Sequence, residues 1–298
     1  MVRLRLFLIK RFLNKLKSRV DYTDILLARR GFERVSKFNK PRQGFKYATE
    51  NIGDIKTEWV MPNGADEKKV LLYFHGGGYA TGSINTHRTL VSQIARNAGI
   101  TALSVEYRLA PEHKFPAAVE DAFAAYQWLL QKGYLPQNIC FGGDSAGGGL
   151  TLATLLYVRD KNTPLPKCAI ALSPWTDHTF TGNSYQANRL IDPMLVAEGF
   201  PVWSKHYTGD ADPKNPYISP LFGDLHGLPP VYIQVGEDEL LLDDSTRFAA
   251  KAKEAGVDIA LDVFPEMFHV FQAFLRILPT ARQANLQLGN FLKKQLAN

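Results

Sequence analysis

The stretch NICFGGDSAGGGLTLATLLY, residues 138–157, decides the fold. Asn138 to Gly142 is short, mostly apolar and strand-like, and Gly148 to Tyr157 has the apolar density of a helix. Between them Gly143-Asp144-Ser145-Ala146-Gly147 reads as a serine held on a sharp strand-to-helix turn. The glycines have a steric reason. A strained backbone at the central residue brings the residues two before and two after it together, so neither tolerates a side chain. The helix that follows aims its first N–H groups at the place where an oxyanion would form. The competing reading is a glycine-rich turn with an incidental serine, and the rest of the chain decides between them.

Working outward, strands are expected at 45–51, 55–61, 69–74, 101–105, 138–142, 167–172, 231–235 and 259–264. Helices are expected at 86–98, 117–130, 148–157, 244–255 and 280–296, with helical patches at 193–200 and 202–207. A strand pair followed by alternating strands and helices predicts an α/β fold, a mostly parallel sheet of eight strands with helices on both faces. Residues 176–228 are too long for a plain connection. Paired with residues 1–44 they read as a split helical cap over one edge of a single domain, 1–298.

Composition is ordinary for a globular chain: 298 residues, 45% hydrophobic, 21% charged. Cys140 and Cys168 lie in apolar strand-like segments and read as buried and reduced; no Cys/His cluster has metal-ligand spacing. The net charge is +6, but residues 1–20 alone carry seven cations and no acid, leaving 28 basic against 29 acidic residues elsewhere. A general nucleic-acid-binding surface is therefore not indicated. The terminal segment mixes Leu4, Phe7, Leu8, Phe12, Leu13 and Leu16 with its cations. Its apolar runs are too short for a secretory signal or a bilayer span. It reads as an amphipathic helix that caps the site, or that rests on an anionic membrane as a peripheral contact, or both. A cytoplasmic location, peripheral to a membrane in the second case, is the expectation.

A serine hydroxyl needs a base. Of the seven histidines, His269 follows the strand 259–264, so it stands at a strand's carboxyl end, where open α/β sheets place their sites. His75 adjoins a glycine run and suits a loop-orienting role; His226 precedes a strand, at the wrong edge. The base needs an acceptor. Asp238, after the strand 231–235, gives the chain order serine, acid, histidine; Glu237, Glu239, Asp243 and Asp244 are its close rivals. Oxyanion donors are assigned to the N–H groups of Gly77, Gly78 and Ala146, because consecutive glycines let amides converge with no side chain in the way. A phosphate loop does not fit: no Gly-Lys-Ser/Thr ending is present, and no helix starts directly after Gly78. Tyr79, Phe200, Trp203 and Tyr207 are candidates to line an acyl pocket, although aromatics at helical spacing more often serve plain packing.

Together HGGGY (75–79), EYRLAPEHKFPAAVEDA (106–122), GDSAGG (143–148), GEDEL (236–240) and MFH (267–269) resemble the hormone-sensitive-lipase family of α/β-hydrolases, the HGGG-type bacterial family IV carboxylesterases. The resemblance spans roughly residues 45–298. It implies the α/β-hydrolase fold, a split cap and a catalytic triad at Ser145, Asp238 and His269. It also implies hydrolysis of short- to medium-chain acyl esters through an acyl-enzyme, with no metal or cofactor. Asp238-Glu239-Leu240 departs from the Asp-Pro-Leu that many members carry at the acid. Amide hydrolysis or deacetylation on the same triad is the alternative chemistry. A non-catalytic receptor on this fold is the other class, and the presence of His269 speaks against it. The partner is a small-molecule ester and the assembly a monomer or homodimer.

Overall fold

The computed structural model describes residues 2–18, 21, 23–36 and 43–297. Residues 37–42 of the expected cap, and Arg19 of the basic segment, lie outside them. Eight strands form one sheet: β1 Phe45–Ile52, β2 Ile55–Pro62, β3 Asp66–Phe74, β4 Ile100–Glu106, β5 Ile139–Asp144, β6 Cys168–Leu172, β7 Val231–Gly236 and β8 Ile259–Phe264. Their spatial order is β1-β2-β4-β3-β5-β6-β7-β8. β2 runs antiparallel to both β1 and β4, and all other pairings are parallel.

The side-chain alternation of β3 explains the layers. Val70, Leu72 and Phe74 face one core, with α4 (Ala117–Gln131), α5 (Ala146–Asp160) and α8 (Leu242–Glu254). Leu71 and Tyr73 face the other, with α3 (Ile84–Ala98) and α9 (Pro279–Leu296). Both faces of the central strands are thus covered, and β5, β6 and β7 are buried at every residue. Unbroken apolar runs are what such strands require. Cys140 and Cys168 are free, buried, and register-paired across β5 and β6.

Chain direction reverses about β3, whose neighbours are β4 and β5. The carboxyl ends of β3 and β5 therefore lie side by side, with Phe74 opposite Gly143. That is the switch point where open α/β sheets leave a crevice. The two N-terminal helices are α1 (Val2–Lys17) and α2 (Ile25–Ser36). Leu6, Ile9 and Leu13 of α1 pack on Met267, Phe268 and Phe271, which flank His269. The excursion at 176–228 carries α6 (Ser184–Ala187) and α7 (Gly199–Thr208). The helix expected over Pro193–Phe200 is not formed before Gly199. The Asp192 carboxylate accepts from the Met194 and Leu195 N–H groups.

Candidate active site

Ser145 sits between β5 and α5 at φ 55° and ψ −123°, a backbone conformation that side chains rarely adopt. Its amide donates to Leu172 O at the end of β6, and its carbonyl accepts from Trp175 and Gly149. Strain at one residue persists when the surroundings over-determine it. A Cβ on Gly143 would stand 2.2 Å from Gly147 O, and one on Gly147 would stand 2.1 Å from Phe74 O. The two glycines are thus required by close backbone approach, for the reason read from the motif.

His269 Nε2 lies 2.9 Å from Ser145 Oγ, and His269 Nδ1 lies 2.8 Å from Glu239 Oε2. A carboxylate can only accept, so Nδ1 carries the proton and Nε2 is free to take that of the serine. The acid in contact with His269 is therefore Glu239, not Asp238. Glu239 is fully buried, whereas the Asp238 side chain is 20% exposed and pairs with Lys10 of α1. The turn after β7 causes the difference. The Asp238 amide donates to Met267 O and the Leu240 amide to Asp192 Oδ2, which turns the intervening Glu239 inward. There its other oxygen, Oε1, accepts from Ser173 Oγ and from the Gly236 amide. Burial works against a charged His269, but the hydrogen bond and charge of Glu239 outweigh it, so the imidazole pKa is raised above its ordinary value of 6.5.

The glycine run leaves β3 against this pair. Gly77 and Gly78 have φ 128° and 62°. Among the described residues the amides of Gly77 and Gly78 have no hydrogen-bond partner, and that of Ala146 opens the first turn of α5, where helices leave donors free. Trp203 of α7 lies against Gly78, where a Cβ would stand 2.2 Å from its ring. Of the four aromatics expected around the pocket, only Trp203 is half-exposed at this loop. Tyr79 and Tyr207 are buried and stack at 3.7 Å; Phe200 packs edge-on to Trp175 at 5.0 Å. Those three rings belong to one buried aromatic cluster with His178.

Two residues that the sequence reading passed over tie the elbow to the glycine loop. The Asp144 carboxylate accepts from Tyr73 Oη at 2.8 Å and the Gly76 amide at 3.2 Å, and meets His87 Nε2 at 3.1 Å. Burial opposes charge on both, yet each stabilises the other's charged form: His87 is raised and Asp144 lowered. The usable signal was positional, since Asp144 directly precedes Ser145. His75 is buried and pushed down to about 3 by desolvation, with His87 adding to it; it stacks on Tyr107 at 4.4 Å and stays neutral. Among the described residues no cluster of three or more His, Cys, Asp or Glu side chains could hold a metal ion.

A strained serine at the amino end of a helix, a histidine in reach of it, a buried acid behind the histidine and free amides beside it define a serine hydrolase of the α/β type. The family model described as "alpha/beta hydrolase fold" matches residues 71–273. An acetyl-hydrolase of Streptomyces hygroscopicus is 42% identical over 242 residues, 81% of each chain. An esterase of Acinetobacter venetianus is 40% identical over 228 residues, covering 76% of this chain and 75% of its own. The crystal structure of an esterase from the bacterial hormone-sensitive lipase family superposes with TM-score 0.94 at 41% identity, covering 98% of both chains. The chain belongs to the alpha/beta hydrolase fold family, among the esterases of the bacterial hormone-sensitive-lipase type. It is a carboxylesterase of the serine hydrolase class.

Proposed function

We propose that Ser145 attacks the ester carbonyl, His269 takes its proton and returns it to the leaving alcohol, and Glu239 orients the imidazole and stabilises its charged form. The Gly77, Gly78 and Ala146 amides hold the tetrahedral oxyanion. The acyl-enzyme is then hydrolysed by water through the same steps. The observation that carries this assignment is the continuous chain Ser145 Oγ, His269, Glu239, with links of 2.9 and 2.8 Å.

Residues 1–44 and 176–228 act as a split cap. The packing of α1 beside His269 and of Trp203 on Gly78 supports it. The acyl groups taken are short to medium, and Trp203 lying against Gly78, beside the oxyanion donors, supports that limit. The name acetyl-hydrolase carried by two of the relatives supports the short end of that range. The test is a profile of kcat/KM over p-nitrophenyl esters of increasing acyl length, with a fluorophosphonate to titrate the nucleophile. Turnover highest at short or medium length, and labelling at Ser145, are expected. A maximum at long acyl chains would overturn the cap reading; labelling elsewhere would overturn the nucleophile.

A further inference from the structure

Helix α1 is apolar on two sides, and only one is covered. Leu6, Ile9 and Leu13, three and four residues apart, form the stripe buried beside His269. At ~100° per residue, Leu4, Leu8 and Phe12 point away from that stripe. With Phe7 and Leu16 they are between 45% and 62% exposed. Arg5, Arg11 and Lys15 stand exposed among them, and among the described residues none of the three has an ion-pair partner. A helix at home in water carries one apolar face, not two. A contiguous outward apolar face marks an interaction surface.

We propose that this face docks the enzyme on an anionic lipid bilayer, α1 lying flat in the headgroup region. The inference goes beyond ester hydrolysis and does not depend on it. Charge selects the occupant. Helix α1 holds six cations and no acid, while the rest of the chain carries 29 basic and 29 acidic residues, so attraction to anionic headgroups is concentrated at this helix. A second copy of the chain is disfavoured. A two-fold contact along α1 would set the cations Arg5, Arg11 and Lys15 of one copy against the same group of cations of the other. No helix among the described residues is long and apolar enough to cross a membrane, which fits a helix that rests on the surface. At the far end of α1, Asn14, Lys17 and Ser18 line a cleft of about 300 Å³ opposite Arg189, Leu190 and Glu198; Leu190 is 92% exposed. Lys10 of the same helix pairs with Asp238, beside Glu239, so docking would turn the active-site side toward the bilayer.

The test is co-sedimentation of the full chain with vesicles of phosphatidylcholine, alone or mixed with phosphatidylglycerol. The wild type is expected to sediment with the mixed vesicles, weakly with phosphatidylcholine, and less as salt is raised. Arg11→Ala with Lys15→Ala should lower the partition coefficient about thirtyfold. Leu8→Ser with Phe12→Ser should lower it by at least about tenfold. Hydrolysis of a soluble short-chain ester by both variants should stay within about twofold of wild type, since none of the four residues touches the site. Absence of binding to the mixed vesicles, or unchanged binding by the variants, overturns the proposal. Equal binding to pure phosphatidylcholine overturns its electrostatic part. A homodimer in solution that Leu8→Ser with Phe12→Ser dissolves would assign the face to a second copy instead.

Discussion

Asp238 and Glu239 are chain neighbours, and only one of them reaches the imidazole. Glu239→Ala is expected to lower kcat by roughly 1000- to 10000-fold, the loss typical when a triad base is left without its acceptor. Asp238→Asn should keep activity within about tenfold, because its partner is Lys10 rather than His269. Comparable losses from both would return the role to Asp238. That Ser145 and His269 come together was legible because a strand's carboxyl end says which loop faces the crevice. The acid was not, since four other acids crowd residues 237–244. What turns Glu239 inward is distant in sequence: Asp192 taking the Leu240 amide, and Met267 taking the Asp238 amide. The raised pKa of His269 has two consequences of opposite sign. Neutral imidazole is the working base, so kcat/KM should climb as pH rises through a midpoint above 6.5. The same group stabilises the fold fully below the ordinary histidine pKa, and that contribution is lost as pH rises through the raised one. A kcat/KM midpoint well below 6.5 would contradict the arrangement.

Among elements, the β3 glycine loop and the β5 elbow function as one unit because Asp144 binds across them. The motif made the steric need for Gly143 and Gly147 readable. It did not reveal that His87, on α3, supplies the counter-charge to Asp144, nor that Trp203, on α7, closes over Gly78. Both depend on packing between elements far apart in sequence. Removing one partner of a buried ion pair leaves the other uncompensated. His87→Ala should therefore cost about 3 kcal/mol in urea unfolding, and lower kcat more than it changes KM, as a disturbed oxyanion loop would. Unchanged stability and turnover would show that the pair is incidental. The elements themselves were mostly legible, since strand and helix periods hold from β1 to α9. The exception is Pro193–Phe200, which is not helical before Gly199.

At the scale of the molecule, a mostly parallel sheet covered on both faces brings the carboxyl ends of β3, β5, β7 and β8 to one edge, each followed by one part of the proposed site. Alternation of strands and helices made that architecture readable. The strand order, which sets β3 beside β5, was not, because pairing partners are chosen by the whole core. The account stands or falls on the nucleophile, which this edge presents in a strained backbone conformation. The most direct test is kcat for a p-nitrophenyl ester by Ser145→Ala, with the circular dichroism spectrum matched to wild type. A fall of about a millionfold is expected, the scale seen when a triad serine is removed. Turnover near that of the wild type in the folded variant would contradict the assignment of Ser145.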